Sequence, residues 1–263
     1  PESCVAPIPD LAYSRLTNKW ELKGLSMPHS PHGQLFESYR PVIMARNGMV
    51  SSGHYLASQA GINILQQGGN AMDAAIAVAA AVSVVEPLMS GIGGDGFIMV
   101  YEKERDEIKV INATGTAPFA ATLEHYQKDG IPMKGMLSVS VPCLLRGWTA
   151  LHERYGTLSL ARLFEPAIEL AANGFPVSNL LASSIKNDPL ICEFPTSKAI
   201  FARNDRPIKA GELLYQAELA TTFEQIARDG EASFFEGEIG RNIVKFSEDN
   251  GGLLSMKDLN EAR

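Results

Sequence analysis

The sequence contains 263 residues, 45% of them hydrophobic and 20% charged, which is enough to bury one large core or two small ones. Its 30 acidic residues outnumber its 23 basic ones and give a net charge of −7, so neither nucleic acid nor an anionic membrane surface is expected as a partner. No apolar run reaches the roughly 18–20 residues that span a bilayer. The composition does not decide between a cytoplasmic and a periplasmic or secreted location.

The N-terminal part of the chain lacks a clear structural pattern. Proline, serine and glycine are scattered over 1–40 without periodicity, which predicts an irregular arm. Ordered structure is expected over 41–263, beginning with a short strand at Gly48–Ser52. A helix should follow from His54 to Gln67, where apolar residues recur at helical spacing, and a pair of glycines ends it.

The next segment is apolar on every side. Asn70 is a predicted N-cap, and Asp73, three residues later, can complement the exposed amide groups of a helix start. Small apolar residues then fill Ala74–Val85. A helix without a polar face is buried on all sides, so we expect a central helix sandwiched by a sheet.

A β-hairpin is predicted from Phe97–Tyr101 and Ile108–Asn112, which are joined by a charged turn. A helical stretch at Thr122–Lys128 and a strand at Leu137–Val141 should follow. The later amphipathic segments predict helices at Gly147–Tyr155, Ser159–Asn173, Asn179–Lys186, Glu218–Arg228, Glu238–Asp249 and from Ser255 onward. Strands and helices first, then mostly helices, indicate an α+β fold rather than a regular βαβ repeat.

The densest glycine cluster is Ser90-Gly-Ile-Gly-Gly-Asp-Gly-Phe97. A phosphate loop would need Lys-Ser or Lys-Thr after it, and Asp95 occupies its middle instead. A dinucleotide fingerprint would need a helix where the hairpin begins. The glycines are therefore expected to allow positive φ angles and close backbone packing beneath the hairpin.

Cysteines and histidines form no recognisable chemical set. The three cysteines are scattered without metal-ligand spacing and are interpreted as inert packed or exposed thiols; they are Cys4, Cys143 and Cys192. The five histidines are interpreted as solvated or satisfied surface residues; they are His29, His32, His54, His125 and His152. No Gly-x-Ser-x-Gly elbow or His-Glu-x-x-His site is present. The residues themselves thus predict no complete catalytic set, no metal and no cofactor on this chain.

A series of short motifs, in order from about residue 45 to the end, resembles the gamma-glutamyltranspeptidase family. Each motif is weak alone, but the ordered series is specific. The motifs are Gly48-Met-Val-Ser-Ser-Gly-His54, Gly68-Gly-Asn-Ala-Met-Asp-Ala-Ala75, Val85-Glu-Pro87, Ser90-Gly-Ile-Gly-Gly-Asp-Gly-Phe97, Thr116-Ala-Pro118, Val141-Pro142, Gly147-Trp148, Tyr155-Gly-Thr157, Pro166-Ala-Ile168, Gly174-Phe175, Asn250-Gly-Gly-Leu253 and Lys257-Asp-Leu259.

The resemblance implies a four-layer αββα sandwich of the N-terminal-nucleophile hydrolase type, of which this chain supplies the large-subunit part. It implies that a precursor cuts itself and exposes a threonine as the first residue of a small subunit. That threonine attacks an amide, with its own α-amino group as base, and forms an acyl-enzyme. No catalytic residue is then expected on this chain, and the chain is expected to be truncated at its C-terminus.

One position of the resemblance bears on the substrate. In the gamma-glutamyl enzymes an arginine four residues before the proline of the Ala-Pro pair holds the substrate α-carboxylate, and here Thr114 has that position. A guanidinium can fork onto a carboxylate and a hydroxyl cannot, a difference of about 1.5–3 kcal/mol. Gly115 also departs from the acidic residue common there. We expect Thr114, Asn112 and Gly115 to contact a different acyl group; the alternative is that another cation replaces the arginine. Cys143 stands where the family usually has glycine, and packing is favoured over a reactive thiol there.

The sequence therefore predicts the large subunit of a self-processing amide hydrolase or acyltransferase. Its partners would be a small subunit from the same precursor and a small-molecule amide, and whether two heterodimers pair is left open. A true gamma-glutamyltransferase or glutathione hydrolase is the first alternative. An inactive scaffold or binding paralogue is the second, and the first residue of the small subunit would distinguish it.

Overall fold

The structure is a computed structural model that describes residues 5–7 and 43–262. It contains both helices and strands and belongs to the α+β class. Its helices are α1 (Tyr55–Gln66), α2 (Ala71–Val85), α3 (Leu123–Tyr126), α4 (Leu144–Tyr155), α5 (Leu160–Asn173), α6 (Asn179–Asn187), α7 (Pro189–Glu193), α8 (Pro195–Phe201), α9 (Ala217–Asp229), α10 (Ala232–Phe235), α11 (Glu238–Asp249) and α12 (Met256–Glu261). Its strands are β1 (Val5–Pro7), β2 (Gly96–Glu102), β3 (Glu107–Ala113), β4 (Phe175–Pro176), β5 (Ala202–Arg203), β6 (Arg206–Pro207) and β7 (Leu213–Leu214).

The first two helices begin and end at the residues that the sequence indicates. His54 caps α1 by accepting the amide hydrogen of Leu56 at Nδ1 (3.2 Å), and Gly68 follows the helix with a φ of 92°. Asn70 caps α2, and the carboxylate of Asp73 accepts the Asn70 amide in return (3.0 Å). This reciprocal pair is a capping box, so the predicted start of α2 is confirmed.

Helix α2 is the centre of the core. Its residues Ala77, Ala80, Ala81 and Val84 are fully buried, as a helix without a polar face requires. Its main packing partners in the described chain are the helices α1, α4 and α5. The expectation of a surrounding sheet is therefore wrong: small alanine side chains let the neighbouring helices approach and enclose α2.

An aromatic layer continues the core towards the C-terminal helices. The ring of Trp148 on α4 lies 6.1 Å from that of Phe164 on α5, and Phe164 lies 5.3 Å from Phe223 on α9. All three side chains are at most 2% exposed. Tilted rings at these separations add to the burial of apolar area, so helices far apart in sequence share one core.

The predicted hairpin is confirmed and forms the main sheet, with strand order β1-β3-β2. Strands β2 and β3 are antiparallel, with Gly96 opposite Ala113 and Glu102 opposite Glu107. Alternate residues of the hairpin, including Val100 and Ile111, are buried, and both strands pack against α4. One face of the sheet is thus covered by helix.

Two predicted strands are wrong. Residues 48–52 form no strand and have no strand partner among the described residues. In place of Leu137–Val141, a 3-10 helix at Met136–Ser138 leads into extended chain, whose Val141 amide donates to Thr116 O (2.9 Å). A strand exists only where a second strand completes its hydrogen bonds, and the local pattern does not reveal that partner.

The predicted helices are all present, with α4 beginning earlier than expected and α3 shorter. The short helices α7, α8 and α10 were not predicted. Within the expected arm, Val5–Pro7 pairs with β3. The rest of 1–40, with Cys4, His29 and His32, lies outside the described residues.

Candidate functional site

The three predicted substrate-contacting residues lie together where β3 ends. Asn112 is on the exposed face of β3, and its side-chain oxygen accepts the backbone amide (3.1 Å) and the hydroxyl (2.7 Å) of Thr114. These bonds close a small turn at the end of the strand. The hydroxyl oxygen of Thr114 can still accept a hydrogen bond, but no cationic group is present at this position.

Gly115 is held by a residue from the glycine-rich loop. Its amide donates to Oδ1 of Asp95 (2.7 Å), and the other carboxylate oxygen of Asp95 accepts the hydroxyl of Ser140 (2.9 Å). Asp95 and Ser140 are site residues that sequence reasoning missed. The only signal was a carboxylate in a glycine loop, which excluded a phosphate site without indicating a partner.

Gly115 also lies directly beside the backbone of Val141. A Cβ at position 115 would overlap the carbonyl group of Val141, and the Val141 amide is bonded to Thr116 O next to it (2.9 Å). Any side chain at position 115 would push these two segments apart. This contact gives a steric reason for glycine at position 115 in this structure.

The glycine-rich loop supports the site by close packing, as predicted. A Cβ at Gly96 would lie 2.6 Å from Leu144 Cδ1, and Gly94 O accepts the amides of Cys143 (3.3 Å) and Leu144 (2.9 Å) at the start of α4. The prediction of positive φ angles in this loop is wrong, because no glycine of residues 91–96 has one. Cys143 is 1% exposed, in agreement with a packed thiol.

The face of the sheet that carries Asn112 is apolar and exposed. Phe97 is 71% exposed, Met99 70% and Tyr101 56%, and all three lie on one face of β2. Phe97 is paired with Asn112 in the sheet register, so Asn112 lies on this same face. The candidate site therefore lies at the end of an apolar sheet surface that is exposed in the described part of the chain. Isolated apolar residues are common at surfaces, but a contiguous stripe indicates an interaction site.

A groove of about 620 Å³ is lined in part by Gly93 of the glycine-rich loop. Gly93, Val139 and Pro142 form one wall, and α9 and α11 form the other with Thr222 and Phe246. The groove is mainly apolar and shares its Gly93 and Pro142 wall with the segments that carry Asp95 and Ser140. It has the dimensions of a small-molecule cleft.

His54 differs from the surface residue that was expected. It is 5% exposed, and Nε2 is buried without a hydrogen-bond partner among the described residues. Burial lowers the pKa of His54 below its ordinary 6.5, although the nearby carboxylate of Glu86 acts in the opposite direction. His125 is exposed as predicted, and His152 is half-buried with its ring bonded to Leu158 O (2.7 Å).

The described chain contains no cluster of three or more histidine, cysteine, aspartate or glutamate side chains that could hold a metal ion. Nor does any helix in residues 43–262 combine the length and apolar character needed to cross a membrane.

Comparison with known proteins identifies relatives of this chain. A sequence profile of the family described as gamma-glutamyltranspeptidase matches residues 57–263. The glutathione hydrolase-like YwrD proenzyme of Bacillus subtilis (strain 168) is 40% identical over 224 residues, 84% of this chain and 43% of that protein. The chain spans about two fifths of the length of such curated relatives.

Two solved structures are similar in fold and sequence. Gamma-glutamyltranspeptidase from Helicobacter pylori superimposes with a TM-score of 0.81 at 32% identity, covering 85% of this chain and 66% of that chain. Cephalosporin acylase from Bacillus halodurans also gives a TM-score of 0.81, at 36% identity, covering 89% of this chain and 45% of that chain.

Proposed function

The chain belongs to the gamma-glutamyltranspeptidase family, and we propose that it is the large-subunit part of a self-processing amide hydrolase or acyltransferase. In this proposal the nucleophile is a threonine at the N-terminus of a small subunit derived from the same precursor. Relatives named as proenzymes, among them the YwrD protein and the acylase ACY 1 of Pseudomonas sp. (strain V22), support a processed precursor.

The uncovered sheet face supports the proposed partner. Its stripe of Phe97, Met99 and Tyr101 lies opposite the face covered by α4, so this chain has one helix layer and one sheet layer in contact. A second sheet packed on the stripe, with helices behind it, would give the four-layer αββα arrangement. We propose that the small subunit supplies this second sheet and brings its threonine to the end of β3.

The proposed chemistry is an acyl transfer in two steps. The threonine hydroxyl attacks the amide carbonyl while the α-amino group takes its proton, and the amine leaves with that proton as an acyl ester forms. Water then attacks the ester and releases the acid, or an acceptor amine takes the acyl group. This chain contributes the wall of the acyl site, and its Asn112, Thr114 and Gly115 contact the acyl group.

The proposed substrate preference rests on Thr114. A hydroxyl that donates to Asn112 stands where a carboxylate-binding arginine would be expected, and Asp95 adds a carboxylate one residue further on. This environment favours acyl groups without an α-carboxylate. The relatives include both a cephalosporin acylase at 36% identity and a glutathione hydrolase-like proenzyme at 40%, so the proposed substrate preference rests on Thr114 and Asp95.

The first experiment uses the complete protein expressed from its gene. Intact mass and N-terminal sequencing should find a second polypeptide that begins with threonine. An uncut protein, or a partner that begins with a residue lacking a nucleophilic side chain, would favour the inactive scaffold instead.

A panel of four anilides then defines the substrate. The γ-glutamyl, glutaryl, γ-aminobutyryl and butyryl anilides differ only in the α-carboxylate and the α-amino group. We expect the two without a carboxylate to be preferred. Thr114→Arg should raise kcat/KM for the two carboxylates by about 10-fold or more, and Thr114→Gln, which adds length without charge, should not. Saturating γ-glutamyl turnover that Thr114→Arg leaves unchanged would instead support a true gamma-glutamyl enzyme.

A further inference from the structure

Asp95 connects three segments that are distant in sequence. Its carboxylate lies in the glycine-rich loop, accepts the amide of Gly115 at 2.7 Å across 20 positions, and accepts the hydroxyl of Ser140 at 2.9 Å across 45 positions. Both carboxylate oxygens are therefore used to join the loop, the turn after β3 and the chain before α4. Hydrogen bonds to a charged acceptor are stronger than those between neutral groups.

The segments that Asp95 joins include the turn that carries Thr114. Gly115 lies against the Val141 backbone, and the Val141 amide donates to Thr116 O (2.9 Å). The turn is thus held by contacts with both Val141 and Asp95. Thr114 is covalently attached to the amide group that Asp95 binds, so movement of Asp95 would move Thr114.

The charge of Asp95 is not neutralised within the described chain. Asp95 forms no ion pair with any residue of 43–262, and its carboxylate is bonded to the neutral Gly115 amide and Ser140 hydroxyl. A substrate carboxylate placed at Thr114 would therefore approach a carboxylate of the protein without a cation between them. Asp95 is exposed in this chain, so this repulsion is strongest once the small subunit of the proposed function covers the site and excludes water.

We propose that Asp95 is a positioning and specificity-determining residue of the acyl site: its hydrogen bonds fix the Thr114–Gly115 backbone, and its charge disfavours substrates that bring a carboxylate to Thr114. This inference rests on the proposed function and names a residue and a substrate preference within it.

Asp95→Asn and Asp95→Ala separate the two parts of the proposal. An asparagine can still accept from Gly115 and, through its amide group, donate to Ser140, so it keeps the geometry and removes the charge. An alanine removes both. Ser140→Ala is the matched control that loses a single bond and leaves the charge in place.

The assay is the anilide panel on the complete, processed protein, with rates normalised to the amount of small subunit. Asp95→Ala should lower kcat/KM for every substrate by about 10-fold or more, mainly through KM, because the turn is no longer held. Asp95→Asn should retain near-normal kcat/KM for the γ-aminobutyryl anilide. It should also reduce the preference for that substrate over the γ-glutamyl anilide by at least about 5-fold.

Asparagine and alanine variants that are equally impaired on every substrate, or equally unaffected, would overturn the proposal. Hydrogen exchange at the Gly115 amide provides a readout that does not need turnover. Exchange should be faster in Asp95→Ala than in the wild type and in Asp95→Asn, and equal exchange in all three would overturn the positioning role. A protein that hydrolyses none of the anilides would contradict the proposed function, while the exchange result would still decide whether Asp95 positions the turn.

Discussion

Among the substitutions of ionisable side chains proposed below, replacing the buried Asp73 should lower the free energy of unfolding most. Asp73 is 0% exposed. It accepts the amide of Asn70 (3.0 Å), the amide of Thr157 (3.0 Å) and the hydroxyl of Thr157. It therefore joins the start of α2 to the turn after α4. Asp73→Ala removes the acceptor of these three partly buried donors.

The magnitude follows from these contacts. Each hydrogen bond to a charged group contributes about 1.5–3 kcal/mol, and bonds that share one acceptor are not additive. We expect Asp73→Ala to lower the free energy of unfolding by about 3–5 kcal/mol and the melting temperature by about 5–15 °C. Asp73→Asn should be intermediate, because it keeps one acceptor oxygen. Asp129→Ala, at an exposed position, is the matched control.

The pH dependence gives this prediction a second test. Burial raises the pKa of Asp73, but hydrogen bonds from Thr157, Asn70 and Leu158 together outweigh it, so the pKa is below its ordinary 3.8. The unfolded chain then binds the proton more readily than the folded one. The stabilisation is complete above pH 3.8 and is lost as the pH falls through the folded pKa.

Thermal unfolding of the complete protein from neutral pH down to about pH 3 should show the wild type losing its advantage over Asp73→Ala. If Asp73→Ala lowers the free energy of unfolding at neutral pH by no more than the roughly 0.5 kcal/mol typical of a surface substitution, the reasoning is refuted. An advantage that stays constant into acid would refute the assignment of the carboxylate as the source.

Three further predictions concern other contacts. Because burial lowers the pKa of His54 below 6.5, the stability that this residue contributes is complete above pH 6.5 and should be lost as the pH falls towards the folded pKa. His54→Asn should reduce this loss, and His125→Asn should not. Equal pH profiles of the two variants in chemical denaturation would contradict this prediction. A Cβ at Gly147 would lie 2.6 Å from Ala113 Cβ, so Gly147→Ala should destabilise by about 1–3 kcal/mol, whereas Ala150→Ser on the exposed side of α4 should be neutral in thermal unfolding. Arg146 pairs with Glu231 (2.6 Å) and lies over the ring of Phe235. Glu231→Ala should lower the free energy of unfolding by about 1 kcal/mol, since both charges are partly solvated. A double-mutant cycle with Arg146→Met should show coupling between the two residues, and additive effects would disprove it.

Much of the helical structure could be predicted because its signals are local. Capping residues lie within one turn of the helix start that they indicate. The apolar composition of a helix such as α2 predicts that it is buried. The boundaries of α11 match the prediction at both ends. Strand predictions succeeded for the hairpin, whose two strands are adjacent in sequence, and failed at residues 48–52 and 137–141. A strand needs a partner, and neither segment contains information about one.

The candidate site likewise contains residues that the sequence predicted and residues that it did not. Thr114, Asn112 and Gly115 were identified from a motif, and the structure brings them together in one turn because they are neighbours in sequence. Asp95 and Ser140 were missed because the Asp95–Gly115 bond crosses 20 positions and the Asp95–Ser140 bond crosses 45.

The sequence by itself thus determined the family, the α+β class, the capped helices and the absence of an arginine at position 114. Only the tertiary structure decided what encloses α2, which face of the hairpin is exposed and what Gly115 packs against. The physical reason is that capping and periodicity act over a few residues, whereas the carbonyl of Val141 excludes a side chain at Gly115 only after the chain has folded.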